Sequence, residues 1–135
     1  SIYGGFIMAR CIEEKIIDRI NSWKNGSYTL SVRDRVEIKN GQAIYYLWKS
    51  PIVTVTGKSV KFSFCGFSSQ TTKNRISSLL WEFAGCLIFR KNWIHYLKMG
   101  NDYYRLNESY SYTIKNGNLF DSIGNKVEAL KDFTR

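Results

Sequence analysis

Histidine and proline each occur once in this 135-residue chain, and its three cysteines, Cys11, Cys65 and Cys86, stand far apart with no C-x-x-C spacing. With His95 alone, the two- and three-histidine metal sites and the H-E-x-x-H enzymes drop out. An odd number of scattered cysteines suits neither a disulfide framework nor a zinc ribbon, so a reducing cytosol is the simpler setting. Long apolar runs are missing too. Nothing approaches the roughly 18 residues of a membrane-spanning helix, and the stretch from Ile2 to Ala9 lacks the charged lead-in of a signal peptide. No phosphate-loop, Rossmann or G-x-S-x-G pattern occurs, nor any internal repeat or low-complexity tract. Acids are few: against 20 Lys+Arg stand 11 Asp+Glu, a net charge of +9 that favours polyanionic or acidic partners and is silent about fold.

What is present suffices for a folded chain. Apolar residues make up 44% and aromatics 16%, and this length holds one modest core rather than two, so residues 1–135 read as a single domain. Met8 precedes a helical pattern and is a candidate native start, which would make residues 1–7 an upstream extension. Ile12, Ile16, Ile20 and Trp23 recur at helical spacing, with Lys24-Asn25-Gly26 as the expected stop. Alternation follows in Tyr28, Leu30 and Val32, then Val36 and Ile38, with a hairpin turn at Asn40-Gly41. The nearly continuous apolar strand from Ala43 to Trp48 suits a central strand covered on both faces. After Pro51 come Ile52 to Val55 and then Val60, Phe62 and Phe64, completing an antiparallel meander of four or five strands. Hydroxyls from Ser68 to Thr72 cap a second helix over about 73–84, whose stripe of Ile76, Leu79, Leu80 and Phe83 ends at Gly85. Leu87 to Phe89 and Trp93 to Leu97 are apolar segments of undetermined type, and Tyr103-Tyr104 is a strand. Tyr110, Tyr112 and Ile114 lead to a hairpin at Asn116-Gly117, and Val127 to Phe133 reads as a short terminal helix. The expected class is α+β: an antiparallel sheet of about five strands, with an N-terminal helix and one buried helix packed on it.

The excess charge has a location. Between Lys49 and Lys98 lie eight basic residues and one acid, Glu82, which is +7 of the total +9. Lys73 and Arg75 fall in the expected first turn of the second helix, where the macrodipole disfavours each cation by about 0.3–1 kcal/mol. An anion there would compensate. The hydroxyls of Ser68, Ser69, Thr71 and Thr72, the free backbone N–H groups and the two cations together describe a phosphate site, with Lys58, Lys61, Arg90 and Lys91 as supporting charge. The competing reading is a Thr-capped helix start with solvated basic side chains. Among the aromatics, Trp48, Trp81, Trp93 and the tyrosines at 45, 46, 96, 103, 104, 110 and 112 are of a kind that stacks on bases in single-strand binders, but Tyr45, Tyr46, Trp48 and Trp81 are expected in the core. Tyr103, Tyr104, Tyr110 and Tyr112, near turns and polar neighbours, are the candidate partner-binding surface.

Catalytic patterns are weak. Glu37-Ile38-Lys39 matches the E-x-K half of a metal-dependent nuclease site, but the required upstream acid has only Asp34, too near, and Asp18, on a helix, to draw on. Cys86 with His95 is a conceivable nucleophile and base with nothing to orient it. No catalytic residue, metal or cofactor is therefore expected.

Three stretches, Tyr45 to Val53, Cys65-Gly66-Phe67, and Thr71-Thr72-Lys73-Asn74-Arg75-Ile76 on to Leu79-Leu80, together resemble a small domain of uncharacterised tailed-bacteriophage proteins, with a T-T-[KR]-x-R-[IL]-x-x-L-L helix start. The resemblance covers roughly residues 43 to 80, and it implies a phage origin, the cytosol of a bacterial host, and no activity or catalytic residues to carry over. The expected function is a non-enzymatic phage protein that binds nucleic acid or a nucleoprotein complex through its basic surface. The alternatives are an inhibitor binding a host or bacterial-defence protein, with the tyrosine-rich segment as its hot spot, and a virion-associated structural component.

Overall fold

The computed structural model describes residues 11–134 together with the backbone of Ile2–Tyr3 and Phe6–Ile7, so the candidate start at Met8 lies outside the described residues. Two short strands, β1 (Ile2–Tyr3) and β2 (Phe6–Ile7), pair with each other. Helix α1 (Ile12–Ser22) buries Ile16 and Ile20 and carries Glu13 and Glu14 in its first turn, where acids oppose the dipole favourably. It ends at Trp23, in the left-handed conformation, and not at Gly26. Gly26 is needed elsewhere: a Cβ on it would sit 2.7 Å from the Tyr28 hydroxyl, which donates to the carbonyls of Lys24 and Asn25.

The meander follows as β3 (Gly26–Thr29), β4 (Asp34–Lys39), β5 (Gln42–Leu47), β6 (Ser50–Val55) and β7 (Ser59–Ser63). Asn40 and Gly41 both take positive φ, the turn that matches strand twist. Helix α2 (Gln70–Ala84) comes next, capped by the Ser69 hydroxyl and closed by Gly85 in the left-handed region. Beyond it lie β8 (Leu87–Lys91), β9 (Ile94–Met99), β10 (Asp102–Arg105), β11 (Ser111–Lys115) and β12 (Asn118–Phe120).

The class is α+β, but the main sheet has seven strands and not about five, in the order β12-β11-β7-β6-β5-β4-β3, and β10-β9-β8 form a second sheet. The difference arises because β11 pairs with β7 across a long sequence separation, which local alternation does not reveal. All pairings are antiparallel. Paired rows explain the core: Val36, Tyr45, Val53, Phe62 and Tyr112 lie side by side, as do Ile38, Ala43, Val55, Val60, Ile114 and Leu119. This face is buried beneath α1, which packs on β4, and α2, which packs on β6 and β7. The opposite face of β5 is only partly covered, by contacts such as Arg35 over Tyr46, so the strand is central in order but not sealed on both sides.

Two further expectations are corrected and one undetermined segment is defined. Trp48 and Trp81 are exposed, not core. Residues 87–99 form a hairpin, turned by Asn92 and Trp93, both at positive φ. No helix covers 127–133. The segment instead bonds its Val127 and Leu130 N–H groups to the Leu119 and Tyr103 carbonyls and lays Phe133 against Tyr96, Tyr103 and Phe89. Among the described residues, no helix is long and apolar enough to cross a membrane.

Candidate functional site

The proposed phosphate site does not assemble as the spacing suggests. Helix α2 begins at Gln70, so Lys73 is its fourth residue and Arg75 its sixth. At about 100° per residue the two point about 200° apart. Arg75 faces inward and is 4% exposed. Its Nε donates to Asp34 Oδ1 at 2.8 Å, its Nη2 to Asp34 Oδ2 at 3.3 Å, and its Nη1 to Glu13. Asp34, 1% exposed, also accepts from the Tyr45 hydroxyl and, at 2.6 Å, from the Ser31 hydroxyl. Burial alone would raise the Asp34 carboxyl's pKa, but the hydrogen bonds from Arg75, Ser31 and Tyr45 hold it below the usual carboxylate range. Burial and the Asp34 charge push the Tyr45 phenol up. Arg75 is thus an internal ion-pair partner and no phosphate contact.

Thr72 is corrected likewise. It is buried, its N–H donates to the Ser69 hydroxyl at 3.2 Å, and the two hydroxyls lie 2.9 Å apart. Those two groups are a helix cap. The hydroxyls of Ser50, Ser68 and Thr71 make no hydrogen bond to a described residue. The other cations scatter. Lys58 sits in the β6–β7 turn, at the far end of the sheet from the β5–β6 turn, about 17 Å away for a six-residue strand. Lys61 lies exposed on the outer sheet face, opposite Thr54. Lys91 donates to the Thr134 carbonyl and lies over Phe133. Arg90 stacks over the Trp93 ring at 5.0 Å.

Tyrosines also sort differently. Tyr104 and Tyr112 are buried, the Tyr112 hydroxyl accepting from the Asn107 N–H at 2.7 Å, so neither presents a recognition surface. Tyr103 is half-buried, its ring packed on Phe89 and Phe133. Only Tyr110 of the four is exposed.

The E-x-K carboxylate does not join Asp34. Glu37 pairs with Arg35 on the outer sheet face, whereas Asp34 points to the inner one. Burial pushes the Cys86 thiol up to about 11, and it donates weakly to the Ala84 carbonyl, so it remains protonated near neutrality. His95 packs its ring on Phe64 and directs Nδ1 to Glu108 at 3.1 Å. Burial lowers its pKa, with Glu108 opposing and Arg90 and Lys73 assisting.

What the structure does assemble is a cleft of about 750 Å³ between the β5–β6 turn and the loop from β7 to α2. Trp48, 62% exposed, and Phe67, 59% exposed, both line it. Its lining also holds Ser50, Ser68, Ser69 and Thr71, with Arg33 and Lys49 as its charged groups and no carboxylate. The floor owes its shape to a β-bulge: Tyr45 pairs with Val53 but Tyr46 with Pro51, so the extra residue Ile52 packs into the core beneath the cleft and forms part of its floor. Proline is tolerated there because the bulge interrupts the ladder. Cys65 and Gly66, both at positive φ, swing the chain from β7 toward α2, and the Gly66 N–H donates to the Glu108 carbonyl at 3.2 Å. Trp48 itself has φ 56, and its N–H donates to the Arg33 carbonyl at 2.6 Å, so the β5–β6 turn is tied to the β3–β4 turn. Sequence reasoning placed Trp48 in a core strand and missed Arg33 and Phe67. The signal available was Trp48-Lys49-Ser50-Pro51, in which Pro51 already demanded a break in the strand.

The family model described as Kyanoviridae Gp96 protein matches residues 9–121. The chain belongs to the Kyanoviridae Gp96 family. It is therefore a small tailed-phage protein domain, and the Gp96 match reaches well beyond residues 43–80, across α1, the whole meander, α2 and the second sheet. No curated protein and no solved structure matches the chain.

Proposed function

We propose that this Gp96 chain is a non-enzymatic protein that binds nucleic acid, free or within a nucleoprotein complex, in the cytosol of the infected host, and that the Trp48–Phe67 cleft is its contact site. The observation that carries the reading is the cleft's composition: two exposed aromatic side chains and two cations, Arg33 and Lys49, with no carboxylate in the lining. Aromatic faces with neighbouring cations are the common chemistry of backbone-tracking nucleic-acid binders.

The test is fluorescence anisotropy of labelled oligonucleotides across a salt series. Affinity should fall with log salt by a slope of roughly 0.7–0.9 per phosphate neutralised, and the Arg33→Ala, Lys49→Ala double variant should flatten that slope. Absence of binding, or a salt-independent affinity, would overturn the reading. A second reading has one observation in its favour. All four tryptophans, including Trp23 and Trp81 outside the cleft lining, are exposed, as at protein-binding hot spots. Capture of a host or defence protein that survives nuclease treatment would favour it.

A further inference from the structure

We infer that the Trp48 cleft takes an unpaired base, so that the chain selects single-stranded over duplex nucleic acid; this rests on the nucleic-acid reading above. Three features of the cleft lead there. The first is the presentation of Trp48. It occupies the first position of a two-residue turn, between the paired Leu47 and Ser50, with its side chain 62% exposed. A base can stack on an indole face only when its own face is free, and bases inside a duplex stack have no free face.

The second is the conformation that holds it. A bulky aromatic residue at φ 56 is disfavoured, and glycine or asparagine would relieve the turn. The backbone is nevertheless fixed by the 2.6 Å bond from its N–H to the Arg33 carbonyl. Arg33 follows the Ser31 turn, which the buried Asp34 carboxylate clamps through the Ser31 hydroxyl. Strain held in place by surrounding structure and directed at a cavity is the pattern of a ligand site. The third is the polar edge. Ser50, Ser68 and Thr71 line the cleft with hydroxyls that carry no hydrogen bond to described residues, at the rim where Lys49 and Arg33 supply charge. Hydroxyls of this kind suit the edges of an exposed base or its sugar, and the cations suit the flanking phosphates.

The experiment compares one sequence as a single strand and as a blunt duplex, in DNA and in RNA, by anisotropy with wild type, Trp48→Ala, Trp48→Phe and Trp81→Ala. The single strand should bind at least about tenfold more tightly than the duplex. Trp48→Ala should weaken single-strand binding by about 5- to 150-fold, the range found for loss of one stacked base, while leaving duplex binding nearly unchanged. Trp48→Phe should restore most of the loss, and Trp81→Ala should have no effect. Unfolding curves of the variants, each changing an exposed side chain, check that the fold is intact. Equal single-strand and duplex affinity, or a Trp48→Ala variant that binds single strands as wild type does, would overturn the unpaired-base inference and leave nucleic-acid binding standing. Failure of wild type to bind either form would overturn both.

Discussion

Replacing Arg75 with alanine separates a structural cation from a ligand-binding one. In the folded chain its guanidinium makes two hydrogen bonds to Asp34, at 2.8 and 3.3 Å, and one to Glu13, and both Arg75 and Asp34 are almost completely buried. Removing it leaves the Asp34 carboxylate away from water, with Ser31 and Tyr45 as its remaining donors and Arg33 Nε, 3.9 Å from Oδ2, as its remaining cation. Breaking one side of such a pair costs about 3–5 kcal/mol, a large share of the ~5–15 kcal/mol that holds a domain folded. With ~1–3 kcal/mol per molar in urea, the midpoint should fall by on the order of 2 M. Asp34→Asn combined with Arg75→Met should cost less than the two single changes added, because no charge is left buried at position 34 or 75 and only the partly exposed Glu13 loses its partner. The pH dependence has a definite sign. In wild type the depressed Asp34 pKa gives stability that is present above the unfolded carboxylate value of ~3.9 and is lost as pH falls through the folded value. Without Arg75, burial pushes that carboxyl upward, protonation relieves the variant, and the gap to wild type narrows on acidification. An Arg75→Ala protein that unfolds like wild type but loses affinity for oligonucleotides would refute the reasoning and return Arg75 to the ligand.

Two further outcomes follow from buried groups. Burial of His95 lowers its pKa below the ordinary ~6.5, so folding excludes its proton, and stability should decline as pH falls from about 7 toward the depressed value. His95→Phe, which keeps a ring against Phe64, should flatten that decline in urea unfolding between pH 5 and 7; an unchanged slope would assign the decline to other groups. Thiol labelling should follow accessibility: Cys11, exposed, should react first, Cys65 more slowly, and Cys86, buried with its thiol raised to about 11, only on unfolding. Rapid native labelling of all three would contradict the packing of Cys86 beneath α2's C-terminal end.

Much of the fold was legible because the chain states it locally. Asn40-Gly41 and Asn116-Gly117 make the turns their types require, Gly85 ends α2, and the alternation of Val36 and Ile38 or Val60 and Phe62 sets the buried face. What was not legible depends on distant partners. The register of β11 on β7 adds two strands to the sheet, and Phe133 finds the outer face of the second sheet in place of a terminal helix. The hairpin at Asn92-Trp93 was hidden because tryptophan is an unexpected residue at positive φ. The candidate site was half legible. Lys73 and Arg75 looked like one cationic pair, but two residues along a helix place side chains on nearly opposite faces, which was available from helical geometry alone.

That geometry also links the two halves of the molecule's charge. The buried cluster joins α1 through Glu13, α2 through Arg75, β4 through Asp34 and β5 through Tyr45, and it reaches the β3–β4 turn through Ser31. The turns and loop that shape the cleft are anchored to these same elements: Arg33 follows Ser31, Trp48 follows β5, and the Ser68 to Thr71 rim opens α2. An exposed aromatic in a disfavoured backbone conformation relaxes unless its surroundings are rigid, and a buried, fully hydrogen-bonded ion cluster is a rigid surrounding. Under the proposed function Arg75 would act from behind the cleft: its loss should loosen the frame that presents Trp48, while Lys49 and Arg33, whose Nε lies 3.9 Å from Asp34 Oδ2, line the cleft itself.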